Sequence, residues 1–264
     1  GWDGLWVGGA ILATWAWVFF RSPHVRGLQE ALFAWIVLFA LIRLLTPQVY
    51  DSREAPPATA CANNLKQIAL ALLNYQARYG TLPPAYVAAE DGRPMHSWRV
   101  LILPFLEYDE LYAQYRFDEP WDGPNNRELA ASMPAVFACP SDKRGAMSDN
   151  TKTNYLAVVG PTTLWPGRQA LRVSAAGSDR AYTILVLESR SEAVEWMRPS
   201  DLDSDTAVRL LTEEPPLDWH ISKSFFYNCY SGRHAAFITG AIVQVGPMSR
   251  ASAEAMLSIN NQEY

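Results

Sequence analysis

Hydrophobic residues crowd the start of the chain in two runs, Leu5 to Phe20 and Leu28 to Leu45, and after them apolar positions recur only at short, regular spacings. At 1.5 Å rise per residue, the first run and its flanking tryptophans approach the ~30 Å hydrocarbon thickness of a bilayer, which predicts a spanning helix. The second run begins with Gln29 and Glu30 and ends near Arg43. Long charged side chains at helix ends reach the headgroups, and Ala31 to Ile42 is apolar on every side, so a second span is expected rather than a buried soluble helix. Two runs with no small-residue cleavage site after the first do not fit a signal peptide. Between them, Arg21 and Arg26 favour a cytoplasmic connector, with Gly1 and everything after Pro47 outside. Gly4, Gly8, Gly9 and Ala13 form a small-residue face that lets another helix approach closely. The expected organisation is a transmembrane helical hairpin at 1–46, a tether at 47–60 held partly extended by Pro56 and Pro57, and one external domain at 61–264.

From Asn63 the spacing changes. Leu65, Ile68, Leu72, Tyr75 and Tyr79 recur every three or four residues, which predicts a helix of roughly four to five turns with one apolar stripe facing a sheet. Asn63 or Asn64 is its expected cap, and Gly80 its left-handed terminator. A shorter helix is expected to carry Leu106, Leu111, Tyr112 and Tyr115 inward. Strands are predicted at Tyr155 to Val159, Tyr182 to Leu187, Phe225 to Tyr230, His234 to Ile238 and Ala241 to Val245, each bounded by turn-forming residues as in antiparallel pairing. Ser252 to Ile259 reads as a closing helix capped by Ser252. The fold class is therefore α+β.

Composition narrows the function. The chain has 22 Lys plus Arg against 27 Asp plus Glu, a net charge of −5. It lacks the basic footprint of a nucleic-acid binder. Its 10 tryptophans and 12 tyrosines suit protein interfaces and membrane boundaries. Tyr115 and Trp121 are the candidate external contacts.

Candidate chemistry is sparse. In an oxidising compartment Cys61 and Cys139 can join, closing a loop of about 78 residues at a gain on the order of 4 kcal/mol. In the cytoplasm all three cysteines stay reduced. Cys229, on a predicted strand, reads as a small buried hydrophobe. Asp118, Glu119, Asp122 and Asn125 offer oxygen donors of the kind calcium takes, but without EF-hand spacing, and Asp-Gly and Pro-Asn are ordinary turn formers. His24, His96, His220 and His234 show no zinc-ligand spacing. Ser231-Gly-Arg-His234 lacks a nucleophile elbow, and no Gly-rich phosphate loop is present. His96 is best explained as a packed turn position bonded to backbone. No catalytic residue, cofactor or small-molecule substrate is expected.

Several ordered segments resemble a known family. Cys61-Ala-Asn-Asn-Leu-Lys-Gln-Ile-Ala-Leu-Ala-Leu-Leu-Asn-Tyr75, Tyr79-Gly-Thr-Leu-Pro-Pro84, His96-Ser-Trp-Arg-Val-Leu-Ile-Leu-Pro104, Tyr115-Arg-Phe-Asp-Glu-Pro-Trp-Asp122, Phe137-Ala-Cys-Pro-Ser141 and Asn154-Tyr-Leu-Ala-Val-Val-Gly160 are similar to pilin-like bacterial proteins of unknown function. Those proteins pair a prepilin-type N-terminal segment with a C-terminal H-x9-D-G motif. Here no Gly-Phe-Thr-Leu-x-Glu processing site is visible, and Cys229 and Thr239 stand where the motif has His and Asp, while Gly240 is kept. The resemblance implies a pilin-like domain with a long helix packed on a mainly antiparallel sheet. With the hairpin, the expectation is a non-catalytic, membrane-anchored structural or accessory subunit. Its partners would be other membrane subunits and lipid, at the bacterial cytoplasmic membrane with the external domain in the periplasm. A pseudopilin of a secretion or filament system, and an envelope enzyme or ligand-binding protein, are the alternatives.

Overall fold

Residues 23–142, 151–172, 181–213, 222–223, 228–229 and 232–259 are described in the computed structural model of the chain. It divides into two compact units, Gly1–Ser52 and Arg53–Tyr264.

Helix α1 runs over Pro23–Tyr79, 57 residues. It overturns the expected transmembrane hairpin: among the described residues, no helix is long and apolar enough to cross a membrane. The run at residues 5–20, with Gly4, Gly8, Gly9 and Ala13, lies outside the described residues. The second run is absorbed into α1, whose sequence carries Glu30 and Arg43 within that run and Asp51, Arg53 and Glu54 after it. Within it, the described side chains of residues 35–42 are exposed.

The residues expected as an extended tether are helical as well. Pro47, Pro56 and Pro57 each remove one backbone donor, but the alanines at 55, 58, 60 and 62 have the highest helix propensity and carry the backbone through. Consequently neither Asn63 nor Asn64 caps a helix start. The predicted stripe is present over its first three positions, Leu65, Ile68 and Leu72, which are fully buried, but Tyr75 is only half-buried and Tyr79 at the end of the helix is exposed. Gly80 closes α1 with φ +77° and donates its N–H to Gln76 at 2.7 Å.

Beyond α1, the hairpin β1 (Tyr86–Ala88) and β2 (Pro94–Ser97) leads into the short helices α2 (Trp98–Leu101), α3 (Asp109–Gln114) and α4 (Pro124–Glu128). Strands β3 (Lys152–Thr153), β4 (Tyr155–Leu156), β5 (Val158–Val159), β6 (Ile184–Glu188), β7 (Val194–Glu195) and β8 (Leu202–Asp203) precede helix α5 (Ser204–Thr212). Then come β9 (Ser222–Lys223), β10 (Asn228–Cys229), β11 (Arg233–Phe237), β12 (Ile242–Val245) and α6 (Arg250–Leu257). The run predicted as a strand over Tyr155 to Val159 is broken at Ala157, whose N–H donates to the Asp201 carboxylate instead of a neighbouring strand. Ser249, not Ser252, caps α6 by accepting the Ser252 N–H.

The principal sheet has the order β12-β11-β6-β4, antiparallel throughout. Strand β6 is buried along its whole length, as a central strand covered on both faces must be. One hydrophobic cluster joins Leu65, Ile68 and Leu72 of α1 to Leu185, Val186 and Ala236. The other joins Leu210, Leu211 and Leu257 of α5 and α6 to Ile184, Leu187 and Phe237. The adjacent Leu185 and Val186 share a cluster because the register of β6 against β11 shifts there, interrupting the alternation of faces. Gly240, at φ +79°, makes the turn from β11 to β12, a backbone region that suits glycine.

Candidate functional site

Among the described residues, three of the buried polar clusters in the second unit bring chemistry-bearing side chains together. The first lies where α1 meets the sheet. Cys61, on α1, is bonded to Cys139, 78 residues away, with Cα atoms 5.0 Å apart. Both backbones are also held by hydrogen bonds. Tyr155 donates its hydroxyl to the Cys61 carbonyl at 3.0 Å, Asn64 donates to the Ala138 carbonyl at 2.9 Å, and the Cys139 N–H donates to Asn154 Oδ1 at 3.2 Å.

Beside the sulfurs sits Glu188, the last residue of β6, completely buried. Antiparallel pairing brings β11 alongside, and His234 reaches Glu188 Oε2 through Nδ1 at 2.8 Å and through its N–H at 3.2 Å. The two sulfurs and a Glu188 carboxylate oxygen lie within 4.8 Å of one another. Among the described residues, no other group of three or more His, Cys, Asp or Glu is gathered in this way. Burial raises the Tyr155 phenol well above its ordinary range, and the negative charge of Glu188 adds to the shift.

The second cluster centres on Asp201. Its carboxylate accepts from Arg99 Nη2, from Trp98 Nε1 at 3.1 Å and from the Ala157 N–H at 2.8 Å. Arg99 also donates to the Tyr155 carbonyl at 3.0 Å, and its guanidinium lies 4.7 Å from the centre of the Trp98 ring. Burial pushes the Asp201 carboxyl up and the Arg99 guanidinium down, while their mutual attraction opposes both shifts.

The third cluster contains His96. Nε2 lies 3.2 Å from the Phe117 carbonyl, which can only accept, so Nε2 carries the proton and Nδ1 accepts from the Tyr115 hydroxyl at 2.9 Å. Burial lowers the His96 pKa, opposed by the Phe117 carbonyl. Burial likewise raises the Tyr115 phenol, with Glu119 and Asp122 adding to the shift, and keeps it a donor.

Several residues singled out from sequence sit elsewhere than their suggested roles require. Tyr115 is buried and belongs to the core, not to an external contact. Trp121 is half-buried against the first hydrophobic cluster, and its N–H donates to Met95. In the loop proposed for calcium, Glu119 accepts from Asn125 Nδ2 at 2.9 Å and from the Asn126 N–H at 2.6 Å. Asn126 organises that loop, accepting from the Arg116 N–H and donating to the Arg116 and Pro120 carbonyls. Asp118, Glu119 and Asp122 do not converge on a common point there. Ser231 lies outside the described residues. Sequence reading missed Glu188 and Asp201. The signal for Glu188 was a carboxylate closing an otherwise apolar strand, Ile-Leu-Val-Leu-Glu.

These features define an α+β domain in which one disulfide ties α1 to the loop at Cys139, with buried charges at Arg99, Asp201 and Glu188 among those engaged inside the unit. Residues 51–195 match a family described as proteins of unknown function, DUF1559, and the chain belongs to that family. No curated protein and no solved structure matches it.

Proposed function

We propose that this protein is a non-catalytic structural or accessory subunit that packs against a larger membrane complex through the apolar section of α1. Its disulfide-tied unit braces the complex from the periplasmic side of a bacterial cytoplasmic membrane. The carrying observation is that Trp35, Ile36, Val37, Leu38, Phe39, Leu41 and Ile42 are each between 40% and 69% exposed. A helix apolar all round has no preferred stripe to turn toward its own domain and calls for an apolar environment on every side. The Cys61–Cys139 bond supports an oxidising compartment.

A second reading is a pseudopilin-like subunit that packs beside copies of itself or of related helices. It draws on the resemblance to proteins with prepilin-type segments and H-x9-D-G motifs. The continuous helix favours it: one element carries the exposed apolar section first and the buried stripe of Leu65, Ile68 and Leu72 afterwards.

Gentle detergent extraction followed by mass spectrometry of co-purifying proteins tests both readings. The Ile36→Asp/Phe39→Asp variant is expected to lose its partners while the second unit keeps its circular dichroism. Unchanged co-purification removes the apolar section from the interface. Partners unrelated to this chain favour the accessory subunit, whereas self-association or pilin-like partners favour the second reading.

A further inference from the structure

Cys61, Cys139 and Glu188 are described above as a crosslink with a neighbouring carboxylate, yet their chemistry is that of a metal-ligand set. We propose that, with its two thiols reduced, this cluster binds one zinc-type divalent cation, so that disulfide and metal site are alternative states of the same residues. The proposal stands on the cluster's geometry and does not depend on the accessory-subunit reading.

Three observations carry it. First, the two sulfurs and the carboxylate oxygen already lie within 4.8 Å of one another. Tetrahedral zinc, with Zn–S near 2.3 Å and Zn–O near 2.1 Å, separates its ligand atoms by about 3.5 to 3.8 Å, so the cluster needs only a modest parting of the sulfurs. Second, the bond between the sulfurs is not all that holds the cysteines in place. The hydrogen bonds from Tyr155 to Cys61, from Asn64 to Ala138 and from Cys139 to Asn154 position both backbones independently. Third, His234 orients the carboxylate through two hydrogen bonds. This is the support that metal-binding side chains commonly receive from neighbours. Two thiolates and one carboxylate more than neutralise a divalent ion inside a site whose three residues are 0% to 1% exposed. Thiolate ligands select zinc over calcium or magnesium.

The chemistry balances. A dithiol reductant transfers two electrons and two protons to the Cys61–Cys139 bond, leaving two thiols and becoming a disulfide itself. Zinc then forms two Zn–S bonds, and the two thiol protons pass to solvent. In the opposite direction, a disulfide oxidant takes two electrons from the thiolates, the S–S bond re-forms and the ion departs.

The test uses the full chain, reduced with a dithiol, desalted under anaerobic conditions and titrated with cobalt(II) and then zinc. The expected result is one cobalt per chain with thiolate-to-cobalt charge-transfer absorption, displaced by one equivalent of zinc. The oxidised chain shows neither. Glu188→Gln is expected to weaken zinc binding about tenfold or more, and Cys229→Ser to leave it unchanged. If the reduced chain unfolds, recovery of its circular dichroism on adding one equivalent of zinc supports the site. Absence of the charge-transfer band from a folded reduced chain, or failure of zinc to restore an unfolded one, overturns the proposal. So does wild-type zinc affinity in Glu188→Gln.

Discussion

Removing the crosslink by Cys61→Ala/Cys139→Ala should destabilise the second unit by about 5 to 6 kcal/mol. The bond closes a loop of 78 residues. In the chain-entropy description, a closure of that length restricts the unfolded chain by about 15 cal/mol/K, or about 4.5 kcal/mol at 25 °C. Both sulfurs are buried, so their deletion adds a cavity cost on the order of 1 kcal/mol. The total, about 5 to 6 kcal/mol, compares with the roughly 5 to 15 kcal/mol that stabilises ordinary domains. Urea unfolding followed by tryptophan fluorescence measures it, because Trp98, Trp165 and Trp196 are buried and report directly on the core. The variant is expected to unfold at a far lower midpoint. Its slope against denaturant should also be steeper, since an uncrosslinked unfolded chain exposes more surface. A loss below about 1 kcal/mol with an unchanged slope would refute the reasoning, because the hydrogen bonds around Cys61 and Cys139 would then be holding the helix to the sheet without help from the crosslink.

Two further outcomes are expected. Asp201→Ala strands the fully buried Arg99 guanidinium and should cost about 3 to 5 kcal/mol in the same assay. The paired change Arg99→Met/Asp201→Leu removes both charges and should cost much less, and equal losses would show that burial of charge is not the governing cost. His96 is held neutral by burial, with its folded pKa below the ordinary value of 6.5. The unfolded chain therefore takes up the proton first as pH falls, so this contribution is complete above about pH 6.5 and lost progressively below it. Melting temperatures across that window should fall with pH in the native chain and fall less in His96→Gln, and parallel profiles would count against the assignment.

What the chain's own pattern determined was the local geometry of its regular elements. The three- and four-residue spacing of Leu65, Ile68 and Leu72 defined the buried face of α1, since no other backbone puts those positions on one side. The apolar runs around Ile184–Glu188 and Arg233–Phe237 marked central strands, and Gly80 and Gly240 marked sites needing positive φ. Helix α5 was legible but passed over: Asp203 caps it by accepting the Thr206 N–H, and Ala207, Val208, Leu210 and Leu211 form its buried face. The length of α1 was not legible. Prolines at 47, 56 and 57 argue for a break, and only the cooperativity of the helix on either side of them outweighs that local preference.

The clusters lay further still from local pattern. The Cys61–Cys139 pairing expected from sequence is present, but that expectation is conditional on an oxidising compartment, and spacing alone does not choose among the three pairings that three cysteines allow. Asp201 meets Arg99 across 102 positions of sequence. His234 meets Glu188 because two strands pair in one register. Such contacts follow from how α1, the sheet and the loops pack, and packing energy is a sum over the whole unit that no short window of residues contains.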